Sequence, residues 1–292
     1  MKHLVSTEDL SKADLEKLFC LADQIKKNPQ KFAKSLDGKI VATLFYEPST
    51  RTRCSFESAI LKLGASVVST ENARENASAF KGESLEDTIK TISGYADAIV
   101  MRHYENDSAA RAAAVSTVPF INAGSGSAQH PTQSILDAYT IREIKGRLDN
   151  LKIAVCGDLK YGRTANSLIK LLSKYEGLKV YAFAPKGLEL ADEFNAIKCI
   201  SFNDIPNDVD VIYQTRVQKE RLPVGVKPDA FVITKAILDR FSSHSLLLHP
   251  LPRVDEISTD CDNDPRAVYF RQAHNGIPTR MALLLMLLKG TK

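Results

Sequence analysis

Short β-branched, apolar runs alternate with runs of helical period from one end of the chain to the other. This alternation limits the fold more than any other feature, because it makes parallel strands joined by crossover helices. Lys39–Tyr46 (KIVATLFY) reads as a buried strand, and Arg51–Leu63 as a helix that Gly64 stops at its C-terminal cap. Ser66–Ser69 and Ala98–Met101 read as short strands with a helix from Ser84 between them, where Ser84-x-x-Asp87 resembles a capping box with Asp in the acidic place. A second cycle starts at Leu151: LKIAVCG is a strand, Arg163–Tyr175 a helix, LKVYAFA a strand, and VDVIYQ and SLLLHP are later strands. The expected class is α/β, with two doubly wound parallel-sheet domains joined by interdomain helices. Thr7–Lys27 has apolar residues at helical spacing and Thr7 as its expected N-cap. Pro131, at an N1 position, opens a helix to about Lys145 that bridges the domains. The last helix, roughly Pro278–Lys289, is apolar on most sides and must be buried, packing back on the first domain. The expected division is therefore residues 1–133 with the C-terminal helix 276–292, and residues 134–275.

Composition narrows the function. At 292 residues the chain is long enough for two domains and needs no disulfide or metal staple. A net charge of +4 without a basic block makes nucleic acid and membrane surfaces unexpected partners. The five cysteines are odd in number and contain no C-x-x-C pair, against a disulfide framework or a zinc site. The charged first residues lack an apolar h-region, and the apolar run Met281–Leu288 is too short to span a bilayer, so a cytoplasmic location is expected.

Ligands of parallel α/β sheets bind at the carboxyl ends of strands, and the unusual polar segments fall there. Tyr46–Glu57 (YEPSTRTRCSFE) follows a strand and opens a helix. A helix N-terminus offers unpaired N–H groups and a positive dipole end, suited to phosphate. Ser49, Thr50 and Thr52 add hydroxyls, and Arg51 adds a fork-shaped cation. The plain alternative is a Ser/Thr cap with surface arginines. Arg102 ends a strand, where it could be merely solvated. His130-Pro-Thr-Gln133 follows a Gly-rich run, Asn122–Gln129, that lets the backbone approach a ligand; a structural histidine is the alternative. Glu71–Glu83, with Lys81 near its end, reads as a mobile charged surface loop. Gly157–Thr164 (GDLKYGRT) is nearly a P-loop, but with Arg where lysine is needed. Thr215–Arg221 reads by itself as a charged helix start.

In order, and over nearly the whole chain, these segments resemble the aspartate and ornithine carbamoyltransferases. Pro48-Ser-Thr-Arg-Thr-Arg53 is similar to that family's carbamoyl-phosphate signature, and H-P-T-Q to its second signature. The resemblance implies that Ser49, Thr50, Arg51 and Thr52 grip the phosphate, Thr52 also reaching the carbonyl oxygen. It implies that Arg102 touches both phosphate and carbonyl oxygen, that His130 bonds the carbamoyl oxygen, and that Gln133 holds the carbamoyl amino group. Lys81, in K-G-E-S-L, matches a lysine that reaches the active site of a neighbouring subunit, there binding carbamoyl phosphate and aspartate. Arg163, Arg216 and Gln218 match residues that hold the carboxylates of aspartate. The carbonyls of Leu251 and Pro252, in His249–Glu256 (HPLPRVDE), match contacts to the carbamoyl amino group and the aspartate amine. The R-x-Q element and the H-P-L-P spelling resemble the aspartate members rather than the ornithine members. One position departs: Ala77 stands where the family carries a phosphate-binding Ser or Thr, so either Ser78 replaces it or one hydrogen bond is absent.

The implied reaction moves the carbamoyl group of carbamoyl phosphate to the amino group of L-aspartate, giving N-carbamoyl-L-aspartate and phosphate, the second step of de novo pyrimidine biosynthesis. The resemblance implies no cofactor and no metal. It implies a homotrimer with shared active sites and leaves regulatory chains open, since Leu222–Ala230 is shorter than in the bacterial enzyme that has them. A relative acting on another amino acid, a non-catalytic subunit of the same family and, on the near P-loop alone, a phosphate-binding NTPase are the remaining alternatives.

Overall fold

The computed structural model describes residues 2–71, 82–218 and 231–289. The chain divides into two compact units, Met1–Ile135 with Asn275–Lys292, and Leu136–His274.

The first unit is built on a four-stranded sheet: β1 (Ile40–Phe45), β2 (Ser66–Glu71), β3 (Ala98–His103) and β4 (Phe120–Ser125), in the order β2-β1-β3-β4. All its pairs are parallel. The crossovers are α2 (Thr50–Lys62), α3 (Leu85–Ser93) and α4 (Ser108–Val115), after an N-terminal helix α1 (Lys12–Lys27). β1 is buried from Val41 to Phe45 because strands flank it on both sides and helices cover its faces, so its sequence is continuous rather than alternating. Ala42, Leu44, Ile99, Met101 and Phe120 from the strands pack with Ile89 of α3 and Ala109 and Ala112 of α4. The small alanines let α4 lie close on the sheet.

Three expectations need correction here. The first helix starts at Lys12, not near Thr7, because the sequence holds two successive Ser-x-x-Asp caps. Ser6 and Asp9 close a 3-10 turn over Thr7–Asp9, and Ser11 and Asp14 form the capping box of α1. Leu10 is extended between them and fully buried. The Gly-rich run begins as strand: Asn122–Ser125 belong to β4, whose edge pairs with Leu4. The last helix, α8, runs Tyr269–Lys289 and carries Pro278 inside it. Proline removes one N–H from the ladder. The Thr279 hydroxyl donates to Asn275 O (2.8 Å) and Gly276 O (3.2 Å) around that turn. Met281–Leu285 are buried as an all-round apolar helix requires, and Arg280 donates to Ser55 Oγ of α2 (2.8 Å).

The second unit carries a five-stranded parallel sheet: β5 (Lys152–Cys156), β6 (Lys179–Phe183), β7 (Ile197–Cys199), β8 (Val211–Gln214) and β9 (Leu246–Leu248), in the order β7-β6-β5-β8-β9. Its described helices include α6 (Arg163–Leu172) and α7 (Lys235–Leu238). Helix α5 (Pro131–Lys145) and α8 carry the chain across the division between units. Phe183, Phe202, Phe231 and Phe241 form an aromatic core beneath this sheet, with Phe202 stacked on Phe231 at 4.2 Å. Among the described residues no helix is long and apolar enough to cross a membrane.

In each sheet the chain builds outward on one side, returns, and builds on the other. The reversals lie between β1 and β3 and between β5 and β8. At such reversals the flanking loops part and leave a crevice at the strand ends.

β9 is held in place by a partly buried ion network. Arg266 forks onto Asp264 (2.9 and 2.7 Å), bonds Asp239 (2.7 Å), and donates to Leu238 O and Phe241 O (2.8 and 3.1 Å). The main chain of Arg266 accepts from Leu247 N of β9 (2.7 Å). Arg266→Ala leaves Asp264, which is 7% exposed, with Lys235 Nζ at 3.3 Å but without its fork. Urea denaturation should show a loss of about 2 kcal/mol, because the carboxylate keeps one cation.

Candidate active site

In the first unit, the ends of β1, β3 and β4 and the starts of two helices bring the expected residues to one edge of the sheet. β1 pairs with β3 through Phe45 and Arg102, and Tyr46 N continues the ladder to Arg102 O (2.9 Å). The chain then turns through Glu47 and Pro48 into α2. Ser49 takes the N-cap position, yet its side chain makes no cap bond. The plain cap reading therefore lacks its defining bond, and the first turn presents its N–H groups beside Thr50, Arg51 and Thr52. Thr52 is buried and Arg51 exposed. Arg102 is oriented by Glu47, its Nε donating to Glu47 Oε2 (3.1 Å). Next to it, His103 is buried between Tyr46 and Tyr104, and burial holds its imidazole below the ordinary value.

β4 leads to His130 by a tight turn. Gly126 N donates to His103 O (3.0 Å), and Ser125 N bonds back to Gln129 O (3.1 Å). Gly126 has φ 44°, and a Cβ there would lie 2.0 Å from Asn106 Oδ1, so only glycine fits. Asn106 Oδ1 also accepts from Ser127 N (2.7 Å). His130 is buried immediately before Pro131, and its carbonyl accepts from Gln133 N (3.0 Å), which starts α5. Thr132 and Gln133 are buried in that first turn.

The second unit repeats the design with different chemistry. Just past β5 comes Gly157, whose φ is 105° and whose Cβ would meet Thr215 O at 2.2 Å. The loops after β5 and β8 thus touch backbone to backbone. Thr215 Oγ1 donates to Cys156 O (3.0 Å). Asp158, fully buried, accepts from Tyr161 N (2.9 Å) with Oδ1 and from Gln218 N (3.1 Å) with Oδ2. Gln218 Nε2 donates to Tyr161 O (2.6 Å). These bonds join the loop that carries Arg163 to the loop that carries Arg216. Arg163 is buried at the first turn of α6, and Arg216 is half-buried. After β9 come His249 and Leu251; Leu251 has φ 56° and precedes a cis proline, Pro252.

A family model described as aspartate/ornithine carbamoyltransferase, carbamoyl-P binding domain, matches residues 2–143. A second, described as the Asp/Orn binding domain, matches residues 149–287. The chain belongs to the aspartate/ornithine carbamoyltransferase family. The aspartate carbamoyltransferase catalytic subunit of Clostridium novyi is 47% identical over an alignment of 301 positions, covering 98% of both chains. The catalytic subunit of M. jannaschii aspartate transcarbamoylase is similar in structure, with a TM-score of 0.89 and 44% identity over 99% of this chain and 98% of that one. Aspartate transcarbamoylase from Trypanosoma cruzi, in complex with carbamoyl phosphate and aspartate, gives a TM-score of 0.92 at 37% identity, covering 98% and 97%.

For a carbamoyltransferase chain, the described structure groups the expected residues by unit. Ser49, Thr50, Arg51, Thr52, Arg102, His130 and Gln133 lie at strand ends and helix starts of the first. Arg163, Arg216, Gln218, Leu251 and Pro252 lie at strand ends of the second. Lys81, Ala77, Ser78 and the segment 222–230 lie outside the described residues. Sequence reasoning passed over Glu47, Asp158 and Thr215. Their signal was faint: each is a polar residue just beyond a buried strand, and its partner is distant in sequence.

Asp158→Asn keeps one good acceptor and loses the other, so the two loops part. Steady-state kinetics of carbamoyl transfer should show kcat/KM for aspartate falling about 10²-fold, as expected when positioning groups shift by an ångström.

Proposed function

We propose that this chain is a cytoplasmic transferase that moves the carbamoyl group of carbamoyl phosphate to the amino group of L-aspartate, releasing N-carbamoyl-L-aspartate and phosphate. The observation that carries the reading is the pair of reversal points. At β1/β3 stand a helix N-terminus without a side-chain cap bond, Arg51 and Arg102; at β5/β8 stand two arginines on loops locked together by Asp158.

Each set suits its ligand. A phosphate dianion takes N–H groups, hydroxyls and guanidinium forks. Thus Ser49, Thr50, Arg51 and Thr52 hold the phosphoryl group, with Lys81 added from a neighbouring subunit. An α-carboxylate and a β-carboxylate need two cations, and Arg163 and Arg216 supply them. Ornithine would bring an ammonium to the same cations and be repelled. Gln218 stiffens the loop bearing Arg216 through Tyr161.

The chemistry is acyl transfer. The aspartate amine attacks the carbonyl carbon, the C–O bond to phosphate breaks, and negative charge builds on the carbonyl oxygen on the way. Thr52, Arg102 and His130 donate to that oxygen, and donors fixed in advance need not reorganise as the charge forms. Gln133 and the carbonyls of Leu251 and Pro252 orient the carbamoyl amino group and the incoming amine. The departing phosphate takes the amine proton, which leaves no separate protein base to be found.

A side-by-side assay with aspartate and ornithine tests the reading. Carbamoyl-aspartate should form, and ornithine should be carbamoylated at a rate near background; the reverse preference would reject it. His130→Ala should lower kcat about 10²-fold, the loss of one oxyanion donor, with a smaller change in the KM for aspartate. A homotrimer with shared sites predicts complementation: inactive Lys81→Ala chains mixed with inactive Arg51→Ala chains should regain part of the activity. A mixture that stays inactive after confirmed subunit exchange argues for unshared sites.

A further inference from the structure

The loop leaving β9 contains a chain of buried polar groups that none of the steps above uses. His249 is 1% exposed and Glu256 5%. His249 Nε2 lies 2.7 Å from Glu256 Oε1, and His249 Nδ1 accepts from Leu251 N at 2.8 Å. A ring nitrogen that accepts an N–H carries no proton of its own, so the imidazole proton sits on Nε2, within ion-pair distance of Glu256 although off the line of a straight hydrogen bond. Burial pushes the Glu256 carboxyl up, but the His249 imidazole beside it and the main-chain N–H groups outweigh this and hold it below the usual carboxylate range. The second carboxylate oxygen, Oε2, accepts from Asp255 N (3.1 Å) and Val254 N (3.3 Å), closing the loop on itself.

The other end of His249 is fixed as well. Its N–H donates to Gln272 Oε1 (2.9 Å), and Gln272 Nε2 donates to Asp137 Oδ1 (2.6 Å). Asp137 Oδ2 accepts from the Tyr213 hydroxyl (2.7 Å). Asp137, Tyr213 and Gln272 are all buried, so the main chain of His249 cannot drift. What this arrangement holds is Leu251, whose φ of 56° lies where L residues are rarely found. A strained residue persists only where its surroundings over-determine it, and such residues cluster at working sites.

We infer that Glu256 acts through His249 as a positioning residue: it keeps the imidazole in its Nε2–H form, so that Nδ1 holds Leu251 and aims the Leu251 and Pro252 carbonyls at the amino groups of the substrates. The inference rests on the reading of those carbonyls given under the proposed function. The carbamoyl amino group and the aspartate amine are both donors. A carbonyl that is turned away still permits binding through the arginines but no longer aligns the attacking nitrogen. The effect falls on kcat rather than on the KM for aspartate.

Initial-rate kinetics on the full chain test this. Glu256→Ala should lower kcat about 10²-fold with the KM for aspartate within about threefold of the wild type. Glu256→Gln, which still offers an oxygen to the Nε2 proton, should recover at least about tenfold of that loss. A Glu256→Ala chain with wild-type kcat and only a lower melting temperature would overturn the inference and leave Glu256 a structural residue. Nitrogen NMR of the wild-type imidazole near neutral pH provides a second measure that needs no variant to fold. The neutral Nε2–H ring is expected; an Nδ1–H ring or a doubly protonated ring overturns the relay. A wild-type chain that forms no N-carbamoyl-L-aspartate removes the functional reading and this inference together. An active wild type with an unimpaired Glu256→Ala removes the inference alone.

Discussion

Parallel pairing is the constraint on which the rest of the molecule depends. A parallel strand cannot turn straight back into its neighbour, so each strand must be followed by a crossover, and all strands then point the same way. In both sheets every described pair is parallel, and so every loop that leaves a strand leaves from the same edge. Where the order reverses, the crossovers leave toward opposite faces of the sheet, and the helix that follows starts with unpaired N–H groups. Both reversal points therefore offer N–H dipoles before any side chain is considered. Side chains decide which group such a place suits.

That decision differs between the units. In the first, the helix start is used directly: Ser49 leaves its cap bond unmade, and small hydroxyl residues keep the approach open. This suits a compact group with several oxygens. In the second, the loops after β5 and β8 are pressed together at Gly157 and Thr215 and bonded through Asp158, so that long guanidinium side chains extend from a stiff base. Stiffness matters because a flexible arginine gives up rotamer freedom on binding, whereas one rooted on a fixed loop has less to give up.

The strands β1, β2, β3, β5, β6, β8 and β9, the helices α2, α3 and α6 and the bridging helix Pro131–Lys145 were legible in the sequence because each rests on local information: apolar period, a proline at N1, a glycine after the last turn; β4, β7, α4 and α7 carry no such local mark and were not read. The errors also have local causes. Two Ser-x-x-Asp caps within one apolar-periodic stretch looked like a single helix. Pro278 looked like a start because its missing N–H is harmless there, while the interior position, with Thr279 bonding back to Asn275 and Gly276, could not be seen without the turn itself. The site divides in the same way. Arg51, Thr52, Arg102, His130, Arg163 and Arg216 could be picked out because they sit in compact motifs. Glu47, Asp158 and Glu256 could not, since what makes them matter is a partner brought close by the fold: Arg102, the loop of Gln218, and His249.

These three carboxylates share one physical role. A site that must attract anions is lined with cations and N–H dipoles, and such groups repel one another when held close. An acid placed behind them relieves that repulsion and fixes direction, since a carboxylate accepts from several donors at once. Glu47 does this for a guanidinium, Asp158 for two backbone N–H groups on different loops, and Glu256 for an imidazole and two backbone N–H groups. Because these acids accompany the cations and N–H groups, the chain gathers arginines at its strand ends with a net charge of only +4.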